Sequence, residues 1–500
     1  MKRLFICIIF AAQVCCLLSC YKDEGNYSYK DINEISFSGI DPNATVPVFI
    51  GDTLSITPVL NSTMSNGDDY SYEWSLFREM VGERVISTER NLKVRINELP
   101  GTYLVQYRVT DNKTGVVFKV RTTLLVRTDV FEGYMVLNNV EGKSRLDMLS
   151  YDAVNGSFNQ FTDVLKKMGS SLPEQGTPIK VVCTRVTSAF SYSDSTFGIY
   201  LITETGTNRV HPETFDWRPT YNIRYEIAGN ISPDFKAQNM VWDSYTYFVP
   251  IFLWSDHNLY LRAGGLAPVY SLPVNKYVGQ PEFKAAPYVT SNGSDNLVMF
   301  NRDNNSFALL RSFQHSAAVD PPFASRPGEI DFPTGKELVF MGESASGFSY
   351  AILKDPGGAN HYLLKFRAGS LPVYFKQLKG TDIDKATHFA LGANPEYIFY
   401  SVGGKVYEYD MYLESSKLML DKGASEISYL AFQQFSPNRS PATYGVWSRW
   451  LNVGVYNPAG ASGSNGILEQ YSVPDANEAL VLQKQWTGFG EITSISYRER

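Results

Sequence analysis

From Phe131 to the C-terminus the chain keeps returning to one unit: a short aromatic strand, a turn containing glycine or asparagine, and a second strand ending in Tyr-Asp or its equivalent. The clearest copy runs Glu396–Tyr400, turns at Gly403-Gly404 and returns over Lys405–Asp410. Other copies read Gly133–Leu137 with Arg145–Asp152, Phe197–Thr203, Asn258–Ala263 with Pro268–Leu272, Asn296–Phe300 with Ser306–Arg311, and Phe348–Leu353 with His361–Phe366. They recur about every 40 to 60 residues, the period of propeller blades. Counting openings gives about seven blades, with six or eight also fitting the count. Glu426–Leu430 opens the last blade, and Glu491–Tyr497 echoes it with no blade left to follow. That final strand is therefore expected to pair into the blade that begins at Phe131, removing the edge an open array would expose. The aromatic content, 32 Tyr and 30 Phe, suits sheets with large cross-strand side chains.

Ahead of the repeats, residues 33–128 read as short alternating strands separated by turn signals. Tyr103, Val105, Tyr107 and Val109 alternate with Leu104, Gln106 and Arg108, the period of a strand with one buried face. The turn Asp111–Gly115 leads into Val116–Val126 and completes a hairpin. Tyr72, Trp74 and Leu76 share a face of another strand, with Trp74 placed to fill the centre of a sandwich. Tyr72-Glu73-Trp74, followed by Leu99–Tyr103 and then Val105, Tyr107, Val109 and Asp111, resembles the polycystic-kidney-disease (PKD) type of immunoglobulin-like domain. The start Cys20–Asp23, leading into Gly25–Tyr27 and Asp31–Glu34, is similar to that of the PKD-like lipoproteins of Bacteroidetes. The usual Asp-Pro-Asp-Gly turn is missing, so calcium binding is not implied. The expected fold is all-β: a PKD-like β-sandwich over 33–128 and a β-propeller of about seven blades over 129–500.

The first 19 residues read as a lipoprotein signal peptide. Met1, Lys2 and Arg3 precede an apolar run, Leu4–Val14, that is too short to span a bilayer. Leu17–Cys20 resembles the bacterial lipobox, which implies acylation of Cys20 as the first mature residue. Two or three acyl chains make a lasting anchor where one does not. Lys22, Asp23 and Glu24 resemble the signal that sends Bacteroidetes lipoproteins to the outer face of the outer membrane. Residues 20–32 then form a tether, reaching about 40 Å at ~3.3 Å per residue. Without the signal, Cys183 is the single thiol of the folded part, so packing and not disulfides must hold it together. Removing Lys2 and Arg3 leaves 43 basic against 51 acidic residues, a net charge of about −8 with no basic stripe. Nucleic acid is not an expected partner.

Catalytic motifs are sparse. None of His211, His257, His315, His361 and His388 lies at the spacing of a zinc helix. Gly342–Ser346 lacks the second glycine of a nucleophile elbow, and Gly460–Ser464 reads as a flexible loop. Gly264-Gly265 and Gly403-Gly404 lack the Lys-Ser/Thr of a phosphate loop. No metal, cofactor or catalytic residue is expected. Three long connections, Trp242–Trp254, Ser312–Gly335 and Thr443–Asn465, depart from the blade rhythm, and the first and third hold the aromatics best placed for binding: Tyr245, Tyr247, Trp447 and Trp450. The alternative for each is that it covers the propeller core. The family resemblance implies an outer-membrane surface lipoprotein, working with sibling lipoproteins as an accessory binding component of a SusC/SusD-type TonB-dependent importer of glycans or peptides. Two other classes stay open: a hydrolase or lyase using paired carboxylates in the channel, and a structural or adhesion protein.

Overall fold

The computed structural model describes residues 33–499 except 65–68, 79–81, 154, 186–196, 243–249, 263–268, 292–295, 313, 314, 322, 324, 326–330, 369 and 436–441. Cys20, Lys22, Asp23, Glu24, Tyr245 and Tyr247 therefore lie outside the described residues. The chain divides into two compact units, at Val126 and Arg127.

The N-terminal unit packs a five-stranded sheet against two small ones. The large sheet runs in the order Thr45–Phe49, Val117–Arg127, Gly101–Asp111, Tyr70–Arg78, Gly82–Ser87. Facing it are the pairs Ile35–Ser38 with Val59–Ser62 and Thr53–Ile56 with Leu92–Arg95. The expected hairpin forms, with Gly101 opposite Val126 and Thr110 opposite Val117. Asp111 sets the turn by accepting the Lys113 N–H at 2.9 Å and the Thr114 N–H at 3.3 Å. Leu54, Ile56 and Leu92 of the small sheets meet Trp74, Leu76 and Val105 in one core. Trp74 is fully buried, stacks 4.2 Å from Tyr107 and donates its indole N–H to the Glu89 carbonyl at 3.0 Å. Large aromatics dominate such cores because each removes a wide apolar area from water.

The C-terminal unit is a ring of seven antiparallel sheets. Blade 1 joins Gly133–Val140, Lys143–Asp152 and Ser157–Phe161 to the last strand, Glu491–Arg498. Among the described residues blades 2, 3 and 4 have three strands each: Pro178–Arg185, Phe197–Thr203, Gly206–Val210; Asn239–Trp242, Ile251–Ser255, Asn258–Arg262; and Ala285–Thr290, Leu297–Asn301, Ser306–Leu310. Blades 5, 6 and 7 have four: Glu337–Glu343 to Tyr374–Gln377, His388–Leu391 to Ser415–Asp421, and Glu426–Phe432 to Val481–Phe489. Apolar clusters fill the gaps between successive blades. Met135 and Leu146 of blade 1 meet Val181 and Ile199 of blade 2. The last cluster sets Leu468 and Phe489 of blade 7 against Tyr134, Ile492 and Tyr497 of blade 1.

Ring closure follows the sequence expectation. Gly133 pairs with Arg498 and Tyr134 with Tyr497, with a bulge at Leu137/Asn138. The buried Arg498 guanidinium donates to the Val130 carbonyl at 2.6 Å and reaches Glu213 at 3.4 Å. Arg145 ties blade 1 to blade 7: it donates to the Gly463 carbonyl at 2.6 Å and grips Asp147 bidentately at 2.9 and 2.7 Å. Asp147 is wholly buried, and burial lifts its carboxyl above the usual range even with Arg145 against it.

Two strand expectations need correction. Asn258–Arg262 pairs backwards with Ile251–Ser255 and not with 268–272. The later segment instead runs beside it through single bonds, Ser271 N–H to the Leu261 carbonyl and Val274 N–H to the Leu259 carbonyl. Thr443–Asn465 is not one loop: it holds a short helix, Ala442–Trp447, and a blade strand, Trp450–Tyr456. Leu451–Val455 are all buried, so the strand lacks the alternation that marks a half-exposed one.

Candidate binding cavity on the propeller axis

The first strands of blades 2 to 7 border a cavity of about 310 Å³, with Lys180, Asn239, Tyr288, Phe340, Phe389 and Phe432 each coming from a different blade. An axial strand has one edge without a partner strand, and its N–H groups must find other acceptors. Side chains supply them. Ser494 and Ser496, two residues apart and so on one face of the last strand, accept the Val181 and Cys183 N–H groups at 3.2 and 2.9 Å. Gln433 accepts the Tyr497 N–H at 3.1 Å. These bonds fix the wall and leave its side chains free to face the axis.

Much of that wall is aromatic. Tyr288 and Phe340 meet edge to face at 5.7 Å, and Phe340 lies 5.5 Å from Phe389. Gly392 lets Phe432 pack close, since a Cβ there would stand 3.0 Å from its ring and the ring would have to shift. Two charged residues join the rings. Lys180 donates to Asn239 Oδ1 at 2.9 Å, and burial alone pushes its ammonium down to about 8. Glu343 Oε2 accepts the Ser291 N–H at 3.0 Å, and Gln434 reaches the Glu343 carbonyl at 3.4 Å. The wall can thus stack on a flat ligand face, exchange hydrogen bonds through its amides and present one cation.

Phe432 and Gly392 also border two smaller hollows. One, of about 260 Å³, is lined by Asn394, Tyr397, Arg449 and Asp475. The other, of about 200 Å³, lies beside Tyr444, Gly445 and Ser448.

Of the aromatics singled out from the sequence, Trp447 and Trp450 sit elsewhere. Trp447 is buried, 5.4 Å from Phe158 and edge-on to Tyr151 at 4.9 Å, in the cluster between blades 7 and 1. Trp450 is a half-buried strand residue opposite Ser472. The wall residues were missed because Lys180, Phe340 and Phe389 stand in strands without a motif, and only their position as each blade's first strand marks them.

Two histidines hold a turn and a strand: His211 accepts the Glu213 and Thr214 N–H groups, and His388 Nδ1 lies 3.0 Å from the Ser401 hydroxyl, its pKa lowered by burial. Among the described residues no cluster of three or more His, Cys, Asp or Glu could hold a metal. Several buried acids have local partners. Glu226 takes Tyr200 at 2.6 Å, Arg209 at 2.8 Å and Arg262 at 3.2 Å; Asp410 caps the Tyr412 and Leu413 N–H groups.

A family model described as PKD-like matches residues 20–175. The PKD-like match spans the described sandwich and continues past Val126 through the first three strands of blade 1. No curated protein matches the chain. Among solved structures, it is similar to a quinonprotein alcohol dehydrogenase-like protein of Bacteroides thetaiotaomicron, at 11% identity and a TM-score of 0.42, over 91% of this chain and 96% of that one. The dihydro-heme d1 dehydrogenase NirN is 10% identical with a TM-score of 0.40, covering 78% of this chain and 72% of its own. A rhamnogalacturonan lyase of Bacillus licheniformis is 9% identical with a TM-score of 0.29, over 83% and 88%.

Proposed function

We propose that this chain is an outer-membrane surface lipoprotein that binds nutrient, glycan or peptide, as an accessory component of a SusC/SusD-type uptake system. Cys20 carries the acyl anchor, Lys22, Asp23 and Glu24 direct export, and the propeller makes the contact with ligand. The observation that carries the binding role is the axial cavity, whose rings, amides and single ammonium form a recognition wall contributed by six blades. Ligand sites are concave, mostly apolar and fitted with few polar groups, and this one has that make-up. Copurification from detergent-solubilised outer membranes tests the reading. Recovery of an importer subunit and a bound nutrient is the expected result. Purified mature protein that cleaves glycans or peptides, at a rate abolished by a single substitution, would overturn it in favour of an enzyme.

A further inference from the structure

Lys180 narrows the class of ligand. An ammonium has three N–H groups to place, and the one placed here goes to Asn239 Oδ1 at 2.9 Å. Asn239 is itself pinned, donating Nδ2–H to the Pro287 carbonyl at 2.6 Å and accepting the Met240 N–H at 2.9 Å. Among the described residues no carboxylate pairs with Lys180, and the acid in the cavity wall, Glu343, receives the Ser291 N–H instead. Lys180 is half-buried at the cavity wall, and a partly desolvated cation held by a neutral amide lacks a countercharge. An anion arriving from outside would account for its retention.

The rest of the wall says what carries the anion. The flat faces of Phe340, Phe389 and Phe432 suit the C–H face of a pyranose ring, and the amide of Gln434 suits its hydroxyls. At about 310 Å³ the cavity is at the small end of ligand sites, ~300–1,000 Å³, with room for a sugar unit and not for a folded partner. The exposed Arg449 sets a second cation, with Asp475 nearby, in the hollow that shares Phe432. We infer that the axial cavity binds an anionic saccharide, its carboxylate or sulfate ester on Lys180 and its ring against the Phe340–Phe389 wall. The inference rests on the cavity being the binding site proposed above.

Isothermal titration of the full mature chain, made soluble by Cys20→Ala, provides the test. The probes are uronate trisaccharides of the galacturonate and glucuronate series, a sulfated galactose trisaccharide, neutral galactotriose and an Asp/Glu-rich peptide. One acidic saccharide should bind at least tenfold more tightly than galactotriose, and whether it is a uronate or the sulfate ester identifies the anion. Lys180→Met should cost that ligand roughly 10- to 100-fold, the worth of a charge-assisted hydrogen bond, and so erase its lead over galactotriose. Asn239→Asp, which sets a carboxylate against the retained ammonium, should cause a similar loss. An unchanged melting profile certifies each variant as folded. Neutral and acidic saccharides bound equally, with Lys180→Met inert, would remove the anion while leaving the binding function. A preference for the acidic peptide would also overturn the inference. So would failure of every saccharide to bind, even if an importer copurifies.

Discussion

Glu408 offers a direct test of how burial governs this propeller. It lies on Lys405–Asp410 of blade 6, opposite Phe399 and Lys417, and is 1% exposed. Its Oε1 has no hydrogen-bond partner. Burial pushes the carboxyl up to about 7, Lys417 pulls it back and Asp410 adds to the rise. The folded state therefore holds a proton there that the unfolded chain has lost, and stability from this group falls as pH rises from about 4.5 through about 7. At ~1.4 kcal/mol per pH unit the full cost of the charged form is about 3 kcal/mol, and solvent screening reduces it to about 1–2 kcal/mol. Glu408→Gln keeps the shape and removes the charge. It should stabilise the propeller by about 1–2 kcal/mol at pH 8 and by nearly nothing at pH 4.5, where the native carboxyl is already neutral. Denaturant midpoints of the propeller transition for both proteins, taken at the two pH values, give the difference directly. A gain that is equal at both pH values, or a loss at pH 8, would refute the reasoning.

Arg145→Met should cost about 3 kcal/mol, because it leaves Asp147 buried without its bidentate partner; Arg145→Met combined with Asp147→Asn should recover part of that, as read by urea denaturation. Trp74→Ala should destabilise the sandwich by about 3–5 kcal/mol, seen as faster amide exchange across Gly101–Asp111. Cys20→Ala should release folded protein from the membrane fraction, and continued sedimentation with membranes would count against the acyl anchor. Replacing Lys22, Asp23 and Glu24 together should keep the anchor but leave the chain periplasmic, protected from protease added to intact cells.

The parts of the fold legible in the sequence were those with one wet face. Tyr103, Val105, Tyr107 and Val109 announce their sheet because Leu104, Arg108 and Thr110 face outward beside them. The repeat and its closing strand were readable for a related reason: Glu426–Leu430 and Glu491–Tyr497 share a pattern, and an unpaired final strand needs a neighbour. Trp450–Tyr456 was hidden because it is buried on both faces and shows no alternation. The axial wall was hidden more deeply. Lys180, Asn239 and Phe340 are separated by scores of residues and meet because blades are arranged about an axis, a relation that spacing does not encode. Trp447 drew notice by its residue type, yet its ring seals the cluster between the first and last blades.

The pairing of Glu491–Arg498 with Gly133–Val140 also bears on biogenesis. Glu491–Arg498 completes a sheet that the propeller's earliest strands begin, so a propeller under synthesis carries an open flank until residues 491–498 are made. Whatever guards that flank during synthesis must act on every molecule. A chain lacking residues 491–498 would keep a sticky strand edge for its lifetime, which makes this one strand a checkpoint on completed folding.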